Sequence, residues 1–391
     1  MAWKGEHGLK LLREFFYLVK KEERIVLRRN WAGSGLLRSS GKPLAVMLVV
    51  MLMFSVLPGC SKEKAPQDAA AKKEVIELKL AHFWPATHPA EVELVQSLAR
   101  EVEQATNGQV KITSYPGETL LKADAIYGGV VDGVADIGIS CFAYTRGRFP
   151  IAEVFELPGI RYNNSQAASQ VAWEGLQELN PAEIQDTKLL MVLTTGPGDL
   201  YTKVPVRQLS DMKGLEIRAT GLSATTLEKL GAVPSAMPQS DAYEALSRGL
   251  VRGNLGPVEV LKGWKQAEVT KYVTKTPFLY NTLFFVTMNK AKWDSLGPEN
   301  QKAVAEASQK VFQEVAMGLW DKQNEEAMKY AVDEKGMKVI TLPAAEEAQW
   351  IKLVEPVQQD WVKRMDAKGL KGQETLDKVK ALAEKYNQQY K

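Results

Sequence analysis

VIELKLAHFWPATHPAEVELVQSLAREVEQATNGQVKITSY, residues 75–115, carries the reading of the fold. Ile76, Leu78 and Leu80 alternate with Glu77 and Lys79, the period of a half-buried strand. His82 to Pro89 breaks that period with two prolines and reads as a loop. Leu94, Val95, Leu98, Val102 and Ala105 then form one helical stripe, closed by Asn107-Gly108 as a C-terminal cap. Val110 and Ile112 restore the alternation, so the opening is β-α-β. Further strands are expected at Ala135–Ile139, Leu189–Thr194, Leu215–Arg218 and Phe284–Met288, with helical segments between most of them. That order predicts an α/β protein with largely parallel sheets.

The C-terminal third reads as helical. Gln301 to Tyr330 lacks proline and has Gly318 as its one breaker, which suits a long helix. Trp350, Val354, Val357 and Trp361 make one apolar stripe, kinked at Pro356, and read as packing residues. At the other end, Leu44 to Leu57 is an uncharged apolar run behind Arg38 and Lys42. A basic flank and a short apolar core describe an export signal, and the run is shorter than the ~20 residues of a spanning helix. It ends in Leu57-Pro58-Gly59-Cys60, which resembles a lipobox and makes Cys60 the expected lipidation site, with Pro58 an uncommon occupant. Residues 61–73 are polar and Ala-rich and read as a flexible tether.

Charge and rare residues exclude several classes of function. Of the net +3, residues 1–59 contribute ten Lys/Arg against four Glu, leaving a mildly acidic remainder near −3. Such a body is no nucleic-acid binder. Cys60 and Cys141 are the two cysteines, so no disulfide framework is available. The histidines are His7, His82 and His88, too few for a multi-histidine metal site. No Gly-x-Ser-x-Gly elbow, His-Glu-x-x-His motif or Walker A loop is present, so no enzyme, catalytic residue, cofactor or metal is expected.

Gly214-Leu-Glu-Ile-Arg218-Ala-Thr-Gly221 places Arg218 at the C-terminal end of a strand, the edge where open α/β sheets bind ligands. A guanidinium offers a planar fork matched to a carboxylate or sulfonate. The stretch resembles the solute-binding proteins of tripartite ATP-independent periplasmic (TRAP) transporters, the DctP family. The resemblance is carried by an ordered series: Glu103-Gln-Ala-Thr106-Asn-Gly108, Tyr115-Pro-Gly117, Gly129-Val-Val-Asp132-Gly133 and Arg148-Phe-Pro150 with Glu156-Leu-Pro158. It continues through Leu209-Ser-Asp-Met-Lys213 into Arg218, Leu230-Gly-Ala-Val-Pro234, Asp241-Ala-Tyr243-Glu-Ala-Leu246 and Met288-Asn-Lys-Ala-Lys-Trp293.

The resemblance implies a two-lobed periplasmic-binding-protein-like fold with crossing strands, long bracing helices and a ligand cleft between the lobes. The expected division is 1–59 leader, 60–74 lipidated cysteine and tether, 75–195 lobe 1, 196–284 lobe 2, 285–330 return to lobe 1 with a long helix, and 331–391 helical bracing. It further implies capture of a small organic anion, clamped by Arg218, and delivery to a large and a small TRAP membrane subunit. A sensor that presents its ligand to a receptor kinase is the alternative. The chain departs from the family at Gly196-Pro-Gly-Asp199, Arg252, Gly256-Pro257 and the aromatic loop His82-Phe-Trp84-Pro-Ala-Thr-His88. Fewer polar groups and more aromatic surface point to one anionic group on a less polar body. Phe83, Trp84, His82, Cys141, Phe142 and Tyr144 in lobe 1, and Gln239, Pro257 and Val258 in lobe 2, are the further pocket candidates.

Overall fold

The alternation at the start of the body becomes β1 (Ile76–His82), and the one after the helical stripe becomes β2 (Val110–Tyr115). They pair in parallel, Ile76 opposite Val110 and Leu80 opposite Ser114, with α1 (Gln96–Ala105) crossing between them. The structure, a computed structural model, describes residues 75–391. The leader, Cys60 and the tether lie outside the described residues.

Nine further strands follow in the described chain. They are β3 (Ile137–Cys141), β4 (Thr187–Thr194), β5 (Gly198–Thr202), β6 (Glu216–Ala219), β7 (Val233–Ala236), β8 (Gly253–Pro257), β9 (Tyr272–Lys275), β10 (Leu283–Asn289) and β11 (Lys338–Thr341). They build two sheets, one per lobe, in the orders β2-β1-β3-β10-β4 and β11-β9-β5-β8-β6-β7. Each sheet is mixed rather than largely parallel. The chain passes from β4 to β5 through residues 195–197 and back from β9 to β10 through 276–282. β10 runs antiparallel to β3 and β4, and β5 antiparallel to β8 and β9. A strand that crosses into the other sheet arrives against the grain of the βα units already there, which the local pattern of the sequence does not encode.

β5 and β8 lie unusually close. A Cβ on Gly198 would stand 2.3 Å from the Gly256 carbonyl oxygen, so only glycine fits there.

The long C-terminal helix is divided. α2 (Gly297–Val311) and α3 (Leu319–Lys329) are joined by a wide π turn at Phe312–Ala316, with Gly318 at the second start. β11 interrupts the region expected to be wholly helical, adding an edge strand parallel to β9. Its four residues KVIT are mostly exposed, too short to show a period.

α4 (Ala344–Val354) and α5 (Pro356–Asp366) carry the tryptophan stripe across both lobes. Trp350 and Val354 join the core of the second sheet, with Leu200, Ile217 and Leu255. Val357 and Trp361 join the core of the first, and the Trp361 indole N–H donates to the Pro150 carbonyl at 2.9 Å. Proline is tolerated at the start of α5 because a first-turn N–H has no helical partner in any case. Trp361→Ala should cost about 3–5 kcal/mol in denaturant unfolding; a loss under about 1 kcal/mol would show that this helix pair does not brace the lobes.

Candidate functional site

Arg218 is buried on β6, and its neighbours follow from strand register. Ile217 turns into the core of the second lobe, so Arg218 turns to the opposite face. There it stands opposite Asn254 of β8 in the parallel pairing. Asn254 Oδ1 accepts from Nη1 at 3.3 Å, while the Asn254 amide donates to Gln266 Oε1 at 2.9 Å and is fixed by it. Nε donates to the Met237 carbonyl at 3.0 Å, and Nη2 reaches the Tyr144 hydroxyl, from the other lobe, at 3.5 Å. Every partner is a neutral dipole, and no described carboxylate forms an ion pair with this guanidinium. Of five N–H groups, one on each terminal nitrogen is left over, a fork suited to a carboxylate.

The cavity beside Arg218 is small, with room of about 20 Å³ for the centre of a water molecule. Phe83, Trp84, Tyr144, Trp264, Tyr280 and Phe284 wall it. Phe83 stacks on Trp264 and Phe284 at centroid distances of 6.0 and 6.3 Å, so the walls support one another. Gln239 also lines it, 5% exposed, with both side-chain amide atoms buried and without a hydrogen-bond partner. A buried amide left unmatched costs about 1–3 kcal/mol, which a ligand's polar group offsets. The Tyr144 hydroxyl accepts from the Gln239 backbone N–H at 3.0 Å as well as from Arg218. Burial pushes its ionisation well above the ordinary phenol range, so it keeps its proton and remains a donor. The Cys141 thiol is likewise pushed well up, by burial first and then by Glu156, and stays protonated.

Of the residues expected from sequence, Arg218, Phe83, Trp84, Cys141, Tyr144, Gln239 and Pro257 meet at this cavity. His82, Phe142 and Val258 do not border it. His82 turns away from the space, its Nε2 at 2.7 Å from Glu91 and 3.2 Å from Ser114, and supports Trp84 with its ring. Phe142 packs edge-on against Phe149 and Phe285 in the first core. Val258 is buried in that same core. Sequence reasoning missed Thr195, Glu259, Trp264, Tyr280, Thr282 and Phe284. Thr195, Tyr280 and Thr282 come from the two crossings between lobes, where no periodic pattern marks them, and Phe284 from the start of β10. Gly256-Pro257 was the available signal for Glu259 and Trp264, which follow it. Among the described residues no group of three or more His, Cys, Asp or Glu is placed to hold a metal ion.

Residues 80–364 match the family described as bacterial extracellular solute-binding protein, family 7, or DctP. Among curated relatives, the 2,3-diketo-L-gulonate-binding periplasmic protein of Escherichia coli K12 is 28% identical over 53% of this chain and 64% of that protein. The chain thus spans just under two thirds of that relative. A TRAP solute-binding protein from a marine metagenome, specific for aromatic acid ligands and bound to metahydroxyphenylacetate, is 31% identical. The likeness covers 80% of this chain and 99% of that one, with a TM-score of 0.75. A TRAP solute-binding protein from Rhodoferax ferrireducens, with copurified benzoate, is 28% identical over 81% of this chain and 100% of that one, with a TM-score of 0.76.

Behind the cavity, Glu156 Oε1 accepts from the Leu283 N–H at 2.7 Å and so fixes the start of β10 between Thr282 and Phe284. Burial pushes this carboxyl up to about 8, against the pull of that N–H and with a smaller push from Glu153. The folded chain therefore holds a proton that the unfolded chain releases above about 4.5. The stability this group contributes is fully present below that pH and is lost as pH rises through 8. Glu156→Gln keeps the acceptor and removes the titration. It should flatten the fall in unfolding free energy between pH 5 and 8, a fall of up to about 1.4 kcal/mol per pH unit; parallel wild-type and variant profiles would contradict this.

Proposed function

This chain belongs to family 7 of the bacterial extracellular solute-binding proteins, and we propose that it captures a small aromatic or similarly apolar mono-anionic acid between its two lobes. Lobe 1 would comprise 75–195 and 285–330, and lobe 2 196–284, braced by 331–391. One observation carries the reading: a buried Arg218 with neutral partners only and two free N–H groups faces a cavity walled by six aromatic side chains. The aromatic-acid specificity of the metagenomic relative agrees with it. A carboxylate or sulfonate would take the open fork of Arg218 and a donor from Gln239, with its apolar remainder against Phe83, Trp84 and Phe284.

Closure follows from where these groups are held. Arg218 and Gln239 belong to one lobe, and Phe83, Trp84 and Tyr144 to the other. A ligand touching both favours the closed arrangement by its differential affinity for it. The closed form would be the one recognised by the large and small TRAP membrane subunits, with the protein held at the membrane through a lipidated Cys60.

Thermal unfolding of residues 74–391 with aryl carboxylates, aryl sulfonates, succinate and sugar acids tests the assignment. Ligand at a hundred times its Kd stabilises the folded state by ~2.7 kcal/mol. Aryl acids should raise the midpoint most, and succinate binding best would contradict the reading. Arg218→Ala should weaken binding by at least about a hundredfold, from the ~2–5 kcal/mol of a buried charged contact, without abolishing cooperative unfolding; retained affinity would remove Arg218 from the site.

A further inference from the structure

The cavity has a second polar end, and His88 sets its chemistry. His88 Nδ1 accepts from the Ala90 backbone N–H at 3.1 Å. The neutral ring therefore carries its proton on Nε2, which donates to Glu259 Oε2 at 3.1 Å. Gly263 permits this approach, since a Cβ there would stand 2.8 Å from both Glu259 Oε2 and His88 Nε2. Glu259 is 4% exposed and borders the cavity, yet its other oxygen, Oε1, accepts no hydrogen bond from a described residue. Beside the same histidine, at a ring-centroid distance of 5.7 Å, lies Trp264. It also borders the cavity, and its indole N–H is buried without an acceptor.

One acceptor and one donor thus stand unmatched around His88. Phe83 neighbours both ends of the cavity: its ring is 5.5 Å from Tyr144, which touches Arg218, and 6.0 Å from Trp264. A second carboxylate on the ligand would be repelled by Glu259 and has no proton to donate. An ammonium donates to Glu259 but cannot accept from Trp264. A hydroxyl does both.

We propose that Glu259 and Trp264 read a hydroxyl on the ligand, its proton donated to Glu259 Oε1 and its oxygen accepting from Trp264 Nε1, so that the protein selects hydroxylated aryl acids over their parent acids. The proposal rests on the aryl-acid reading of the cavity and sharpens it. It differs from that reading in what it asks of the ring's far side rather than of the carboxylate.

Calorimetric titration of wild-type protein with benzoate, phenylacetate, their 3- and 4-hydroxy derivatives and the matching fluoro derivatives separates the two. A fluorine occupies nearly the space of a hydroxyl and donates nothing. At least one hydroxy acid should bind about tenfold or more tighter than both its parent and its fluoro analogue, as for a charge-assisted hydrogen bond. In Glu259→Gln, His88 holds the amide oxygen and the NH2 group replaces the acceptor toward the cavity. The hydroxy-to-fluoro affinity ratio should then fall to about one. Parent, fluoro and hydroxy acids binding alike in the wild type would overturn the hydroxyl reading and leave the aryl-acid site standing. Failure of every aryl acid to bind would overturn both.

Discussion

A guanidinium cannot shed its proton, so a fold that buries one must surround it with groups that accept its hydrogen bonds. Arg218 is 1% exposed and is met only by a main-chain carbonyl, an asparagine and a phenol. Desolvating an unpaired charge costs several kcal/mol even after relaxation. Neutral dipoles recover part of that cost and hold the side chain in one orientation. What they leave unrecovered is an attraction for an anion, exerted from a buried side chain beside six aromatic rings, where a charged hydrogen bond is stronger than at the surface. Affinity and fold are coupled here through one residue.

The scaffold makes this possible by bringing two sheet edges together. Phe83 and Trp84 follow β1, and Tyr144 follows β3, both at the carboxyl ends of parallel strands. Arg218 and Pro257 stand on the parallel pair β6 and β8 of the other sheet. Thr195 and Thr282 lie in the crossings that connect the two lobes. The cavity therefore lies between groups carried by the two sheets and by the crossings that join them. α4 and α5 tie the two cores together from outside, because one stripe of tryptophan and valine is shared between them.

How much of this was legible in the sequence depended on whether a residue's environment is set locally. β1, α1 and β2 were readable because one face of each is buried and the other wet, which writes a period into the chain. Arg218 was readable as lying near the C-terminal end of a short strand, β6. β5 and β8, GDLYT and GNLGP, were not: their small residues serve a close approach of two backbones distant in sequence, and glycine hides a strand rather than marking one. Tyr280 and Thr282 reach the cavity only through the return crossing. Glu259 and Trp264 acquire their meaning from His88, 171 residues before Glu259. His88 itself is a structural histidine whose work is to orient a carboxylate. Phe142 was placed at the cavity on strand position alone, and the 3₁₀ turn Phe142–Tyr144 instead sends its ring into the core.

The most direct test alters the ligand's charge and leaves the protein untouched. Benzoate and benzamide have nearly the same size and ring, but only benzoate carries the negative charge that a buried, carboxylate-free Arg218 is built to receive. Titrating wild-type protein with both should show benzoate bound and benzamide weaker by at least about a hundredfold, the scale of a desolvated charged contact. Equal affinities would mean that Arg218 is a structural cation satisfied by its neutral partners, and that the cavity recognises its ligand by shape alone.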